Sequence, residues 1–588
     1  MESQLVRLCI EAACQSRESV EKWRRQRRSL ERLPSPLADA LLRCLLSRRL
    51  LFPSLLEVFK RSVEKVDLRG EHSVDGEWMA YIGAFRYLRS LNIADCHRIS
   101  SSALWSIAGM TTLQELDISR CMKVNDAGIR HIVTISTLEK LCISETGLSA
   151  DGVTLLSSLR NLSVLDLGGL PVTDKALSSL RVLTKLQYLD LWGSKISDKG
   201  ASIFLDFPKL SFLNVAWTDV RKLPNLSSLE CLNMSNCTIA SILEGDGAKA
   251  TLRKLLVSGA ALLGDAETLI FIETSLLTYL DISNSSLHRF GFLPCMKALE
   301  YLDLSSSMIG DDSVEEIACI GANLRYLNLS KTRIGSTGVE ILAGHVPNLE
   351  ILLLSHTSVD DAAISYISMM PSLKDIDLSN THIKGIVHQV DPEMDPALSL
   401  TSLQCLMGLE RLNLEQTLVR DSVLYSICSF KELTHLSLRS DSLTDMSLYY
   451  LSSLPKLRNL SLKDAVLTNQ GLDSFKPPTT LRMMDLRGCW LLPKDAIVTF
   501  CRSHPQIEVT HEYVPLFPSD HIGSKRPYPS RLTLKTSRVN EVGKVPISPF
   551  FIDQRLKYSR EELLALQNWS SVSFDAPHDS DILAPNMQ

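Results

Sequence analysis

One phrase, L-x-x-L-x-L, recurs along this chain and constrains its fold more than any other feature. It opens at Val63, Leu88, Leu113, Leu138, Leu162, Leu186 and Leu210, then at Leu229, Leu252, Leu277, Leu299, Leu324, Leu349 and Leu373. After a longer gap it returns at Leu409, Leu433, Leu457 and Leu481. These 18 starts, about 25 residues apart, are units too short to bury an apolar face alone, so they must stack on one another. A single array then uses most of the 588 residues, and the several domains that such a length suggests are not required.

Within each unit, positions four and six alternate inward on a short strand. A later Ile196, Ile334 or Val359 adds a third inward anchor. A turn follows, then Asp-x-Gly or Asp-x-Ala and a short apolar pattern, as in DDSVEEIACIGANL from Asp311. The Asp is expected to cap a helix. Units such as LQYLDLWGSKISDKG from Leu186 and LRYLNLSKTRIGSTG from Leu324 resemble ribonuclease-inhibitor-like and F-box-type leucine-rich repeats, across residues 63–510. That resemblance implies an α/β leucine-rich-repeat solenoid, a horseshoe of about 18 repeats with the parallel sheet on its concave side. Position nine, usually Asn in such repeats, is here often Thr, Ser or Cys, as at Thr332, Ser194 and Cys96. Cys96, Cys121, Cys237 and Cys489 are thereby read as structural.

Two spacings break the rhythm. Leu210 to Leu229 is only 19 residues, so that unit is expected to lack its helix. Leu373 to Leu409 is 36 residues, and the excess near 386–398 is expected to be a surface loop. It is either a tolerated insertion or a segment that bends the array or touches a ligand.

Positions three, five, seven and eight should face the groove. Asp or Asn is common at position five (Asp117, Asp166, Asp190, Asp281, Asp303), and solvation of the sheet accounts for it. Tyr188, Trp192, Phe212 and Trp217 should form an exposed aromatic patch, a candidate substrate-binding site. Tyr279, Tyr301 and Tyr326 repeat at position three, a stack one repeat apart. Arg439, Lys463 and Arg487 at position seven make a basic stripe suited to an acidic or phosphorylated segment. Packing along neighbouring side chains is the alternative for all of these.

Residues 1–62 carry no repeat and read as helices, a cap that shields the first repeat. The segment LVRLCIEAAC places Leu5, Leu8, Cys9 and Ala12 or Ala13 on one face. Leu5, Cys9 and Ala13 also match the elongin-C-binding spacing of VHL-box proteins. Leu33, Pro34, Leu37 and Leu41 match the cullin-selecting box downstream of it, and the same stretch looks like a degenerate F-box. The order of boxes ahead of repeats is similar to zyg-type cullin substrate receptors. The resemblance implies an elongin-C-like or Skp-type adaptor and a cullin as partners, and these residues as adaptor-binding. Gln4 departs from the family, which favours a small residue or Pro there.

Beyond a last strand near Ile507, residues 511–588 change character. Eight prolines break the repeat, and a largely disordered, flexible tail is expected. Within it, Ser559 with Glu562 forms a capping box and Tyr558 with Leu563 a hydrophobic staple, which predicts a short amphipathic helix over 559–569. Tyr558, Leu563 and Leu564 resemble the motif by which translation regulators bind the cap-binding initiation factor, and only this one of 13 tyrosines satisfies it.

The remaining composition narrows the function. A net charge of −5 gives no global reason to expect nucleic acid or an anionic membrane as partner. No apolar run reaches membrane-spanning length, and the first residues do not read as a secretory signal. A cytoplasmic or nuclear chain is expected, its 14 cysteines reduced. The basic run KWRRQRR at 22–28 reads as a solvated helix face or a nuclear import signal. No phosphate loop, nucleophile elbow or zinc spacing occurs, so no catalysis, metal or cofactor is expected. The expected role is protein recognition without catalysis: a ubiquitin-ligase substrate receptor, a translation regulator or a plain scaffold.

Overall fold

The computed structural model describes residues 4–25, 33–245, 249–263, 273–287, 289–387, 397–513 and 562. Its centre is a 19-stranded parallel sheet in which each repeat contributes one strand. Pairing is in register from end to end, beginning with Lys65–Asp67 against Ser90–Asn92 and ending with Met483–Asp485 against Glu508–Thr510. The last strand is the one expected near Ile507. Positions four and six of the repeats form one continuous buried core, which runs from Cys14 to Val509.

Three positions end each strand by a shared mechanism. At position five, the Asp or Asn side chain turns back and accepts the backbone N–H of position seven. Asp190 accepts from Trp192 (3.0 Å), Asp281 from Ser283 (3.0 Å) and Asn328 from Ser330 (3.0 Å). Asp166, Asp190, Asp281 and Asp303 are buried, which corrects the reading of position five as mere solvation of the sheet. These carboxylates fix the turn, an Asx geometry, and their burial is tolerated because they are hydrogen-bonded. Position eight then takes the left-handed conformation in 17 of the 18 repeats, with φ between +52° and +78°. Its N–H reaches the next repeat, as from Trp217 to Ser235 O (3.0 Å) and from Lys331 to Ser355 O (2.8 Å). The left-handed state costs a non-glycine residue about 1–2 kcal/mol. Trp217, Lys331 and His356 adopt it all the same, because the ladder continues through them. Position eight is therefore a turn residue first and a groove residue second.

Position nine is the ladder expected, and its two chemistries satisfy different carbonyls. Thr332, Thr357 and Thr381 donate to position six of their own repeat (Leu329, Leu354 and Leu378 O, each 2.6 Å). Cys96, Cys121 and Cys489 donate to position six of the preceding repeat (Leu68 and Ile93 O at 3.2 Å, Leu462 O at 3.1 Å). Burial pushes these three thiols from 9.0 up to about 12. Unfolded thiols ionise near 9, so the folded chain holds more protons between these values. Their contribution to stability is complete below about pH 9 and is lost as pH rises toward 12. Native-state alkylation at neutral pH should modify the exposed Cys9, Cys295, Cys319 and Cys405 and spare Cys96, Cys121 and Cys489, read by peptide mass spectrometry. Equal labelling of both groups would refute the buried ladder.

The recurring Asp after the turn caps its own helix at Asp75 and Asp360, as expected, but elsewhere it sits one residue further on and does not. The cap is then the residue before it, as at Asn125, Thr173, Ser197 and Thr444, while Ser149 and Thr468 cap helices that open on Ala150 and Asn469. The Asp sits in the first helical turn and bonds the next repeat instead. Asp126 accepts from Ser149 N and Oγ (2.9 and 2.6 Å), and Asp174 from Ser197 N and Oγ (2.9 and 2.7 Å). Each carboxylate thus staples one repeat to its neighbour while keeping its charge at a helix N-terminus.

The short unit from Leu210 lacks a helix, as its length requires. Lys222–Pro224 runs as a strand there and pairs in parallel with Ser241–Glu244 of the next unit. The unit from Leu229 also uses a strand at this place, a departure its ordinary length did not signal. The insertion is not wholly a loop either. Ile386–Val387 pairs antiparallel with Ala397–Leu398, and Ile386 and Leu398 pack against the core.

The N-terminal module comprises α1 (Gln4–Ala13), α2 (Arg17–Arg24) and α3 (Ser35–Ser47), followed by a 3-10 turn at Pro53–Val58. Ala38, Leu41, Leu42 and Leu45 of α3 join the array core. The Asp39 carboxyl faces the backbone N–H groups of Glu64 and Lys65 at the open edge of the sheet. Burial raises its pKa and those two N–H groups oppose the rise. A sheet edge invites pairing with other chains, and this carboxylate occupies it.

Candidate functional site

The concave face is the surface that the fold displays most regularly. Its position-three row reads Val164, Tyr188, Phe212, Cys231, Lys254, Tyr279, Tyr301, Tyr326, Ile351 from the fifth unit onward. Neighbouring strands lie about 4.8 Å apart, which is close to ring-stacking distance. Tyr188 stacks on Phe212 (4.2 Å, 8°), Tyr279 on Tyr301 (3.8 Å, 8°) and Tyr301 on Tyr326 (4.0 Å, 7°).

That stacking corrects the exposed aromatic patch. Tyr188 and Phe212 are both 0% exposed, because each covers a face of the other and Val164 and Cys231 close the ends. Trp192 is half-buried across Gly168 and Gly169, where a Cβ on Gly168 would fall 2.2 Å from the indole nitrogen. Trp217 remains 37% exposed, so the two tryptophans, not four aromatics, offer surface to a partner. The tyrosine stack is present as expected and is mostly interior.

The basic stripe is likewise not free. Arg439 pairs with Asp464. Lys463 Nζ lies 2.8 Å from Glu415 and 3.8 Å from Asp485, and Arg487 lies 2.6 Å from Asp485. The alternation of signs on neighbouring strands neutralises the stripe, so it does not present a bare cationic site for an acidic segment. Lys254 is buried in the aromatic row between Cys231 and Tyr279, and loss of solvent lowers its pKa.

The sequence reading missed a serine row at position seven. Ser235, Ser258, Ser283, Ser305, Ser330, Ser355 and Ser379 occupy it in seven consecutive repeats. Ser258 and Ser283 hydroxyls meet at 2.8 Å. Ser235, Ser258, Ser283 and Ser379 are buried, so the row packs along the sheet beside the stacked aromatic row. The signal was available in the sequence as Ser at a fixed offset from each leucine phrase. Among the described residues, no group of three or more His, Cys, Asp or Glu could hold a metal ion, and no helix is long and apolar enough to cross a membrane.

The N-terminal candidates divide. On α1, Ile10 and Ala13 pack on the core while Leu8 (55% exposed) and Cys9 face solvent. The apolar face predicted for this helix is therefore only partly covered. Leu5 lies within α1, its side chain outside the described residues. On the second box Pro34 is exposed, Leu33 and Leu37 are half-buried and Leu41 is core. Leu41 points with Ala38 and Leu45 into the array, so it holds α3 in place and cannot itself touch an adaptor without unseating the helix. Tyr558, Leu563 and Leu564 of the tail motif lie outside the described residues.

A family model described as Leucine Rich repeat matches residues 182–203 and 322–343. The two stretches contain the strands Tyr188–Asp190 and Tyr326–Asn328, each in one unit of the parallel array. This chain is a leucine-rich-repeat solenoid. Among solved structures it is similar to an internalin of Listeria monocytogenes, at 18% identity over 65% of this chain and 88% of that one, TM-score 0.33. A leucine-rich-repeat protein of Leptospira interrogans is similar at 16% identity over 76% and 95%, TM-score 0.43. A chain of the mouse RP105/MD-1 complex is similar at 18% identity over 81% and 85%, TM-score 0.49. No curated protein matches the chain. A repeat solenoid offers a long regular face suited to extended partners.

Proposed function

We propose that this solenoid is a non-catalytic substrate receptor of a cullin-type ubiquitin ligase. In this reading α1 and the Leu33–Leu37 segment meet an elongin-C-like or Skp-type adaptor, and the concave face holds the target near Trp192 and Trp217. The observation that carries it is on α1. The helix is fastened by Ile10, Ala13 and Cys14, yet leaves Leu8 and Cys9 uncovered, an apolar edge with no use in a plain cap. The two box-like spacings ahead of a repeat array point the same way.

The test is co-purification of the tagged full-length protein from its native cells. Wild type should retain adaptor and cullin, and Leu5→Ala with Cys9→Ala should lose both while circular dichroism stays unchanged. Retention by the double variant, or absence from wild type, would sink the receptor reading. A second reading rests on the single Tyr558–Leu563–Leu564 match: translation control through the cap-binding initiation factor. Retention on a cap-analogue resin in the same preparations, lost in Tyr558→Ala with Leu563→Ala, would favour it instead.

A further inference from the structure

The N-terminal module carries a cysteine arrangement that neither the repeat ladder nor adaptor binding uses. Cys14 directly follows α1 and is fully buried, whereas Cys44 lies on α3, half-buried, 30 residues later. The two helices pack on each other, and Arg48, one turn beyond Cys44, donates to Glu11 O and Cys14 O (3.1 Å each) at the end of α1. The two thiols are within hydrogen-bonding reach of each other. Both are reduced in this structure.

We propose that Cys14 and Cys44 are a redox-closable pair, a modification site at which a hydroperoxide oxidant clamps α1 onto α3. The chemistry follows from which sulfur solvent reaches. Burial and the contact with Cys44 push the Cys14 thiol up to about 12, so at neutral pH it stays protonated and is not the first sulfur oxidised. Cys44 is the accessible one. Its sulfur attacks the peroxide O–O bond, which breaks to give the Cys44 sulfenic acid, and the thiol proton leaves with the other oxygen as the corresponding alcohol or water. Cys14 sulfur then displaces the hydroxyl group from Cys44 sulfur. The S–S bond forms, and the Cys14 proton leaves with that hydroxyl as water. The Arg48 guanidinium, held beside the pair by its two carbonyl bonds, favours the negative charge that develops on Cys14. Closed, the bond ties down a helix otherwise held by few side chains. Reduction by a dithiol restores the open form.

The experiment uses purified full-length protein carrying Cys9→Ser, so that the tryptic peptide 8–17 holds Cys14 alone. Limited hydrogen peroxide, alkylation and digestion should yield peptide 8–17 linked to peptide 44–48. The linked species should vanish after dithiothreitol and be absent from Cys44→Ser. Hydrogen exchange in α1 should slow on oxidation in the parent and remain unchanged in Cys44→Ser, a variant at a half-buried position that leaves the core intact. Full alkylation of both cysteines after peroxide, or oxidation of Cys44 to the sulfinic acid without a linked peptide, would overturn the proposal. Neither readout involves an adaptor, so the result is separate from the ligase reading.

Discussion

Replacing Tyr301 by alanine should cost about 3–5 kcal/mol, the range for removing a buried aromatic side chain. The ring is sandwiched between Tyr279 and Tyr326 at 3.8 and 4.0 Å, so its loss leaves two ring faces without a partner. The damage should not stay local. A solenoid is stabilised by nearest-neighbour interfaces, and the middle of this array has the stack as part of its interface. Urea unfolding followed by circular dichroism should show an earlier midpoint. Native-state hydrogen exchange should rise first in the strands Tyr279–Asp281 and Tyr326–Asn328. Tyr301→Phe keeps both ring contacts and gives up only the hydroxyl, so a loss near 1 kcal/mol is expected there. An alanine variant no less stable than the phenylalanine variant would mean that the stack is incidental.

The second large effect belongs to an inter-repeat staple. Asp421, in the first turn of one repeat's helix, accepts from Thr444 N (3.1 Å), Thr444 Oγ1 (2.6 Å) and Ser447 Oγ (2.5 Å) of the next. Thr444 is also the cap of the helix Asp445–Leu451, so its hydroxyl links two helix starts. Hydrogen bonds to a charged group contribute about 1.5–3 kcal/mol, and Asp421→Ala should lose an amount in that range. Asp421→Asn retains one acceptor and should lose less. The coupling is measurable as a double-mutant cycle with Thr444→Ala, in which the combined loss should fall well short of the sum. Strict additivity would remove the staple from the account. The same geometry recurs at Asp126, Asp174 and Asp445, which makes the effect general along the array.

Both sites show how far the sequence could be read. The leucine phrase located the strands of the central sheet from Lys65–Asp67 to Met483–Asp485, because a period near 25 with leucines at fixed offsets admits one stacking solution. The position-nine ladder and the tyrosine stack followed from register alone. The Asp after the turn was recognised as important but assigned to its own helix, since the sequence does not show which repeat a side chain leans toward. The concave site was legible only as a list of outward positions. Tyr188 and Phe212 occupy outward positions and are nevertheless buried, because parallel in-register strands bring flat rings to stacking distance. Arg439, Lys463 and Arg487 form a row, but their charge is cancelled by Asp464, Glu415 and Asp485 from neighbouring strands or the same one.

By itself, then, the sequence determined the repeat length, the inward anchors, the parallel register and the unit too short for a helix, all of which follow from local periodicity. Only the tertiary structure decided which outward side chains meet solvent, which Asp bonds which repeat, and which edge of α1 stays uncovered. Those depend on the spacing and direction of side chains from separate repeats. Exposure on a stacked array is set by the neighbour about 25 residues away as much as by the residue itself.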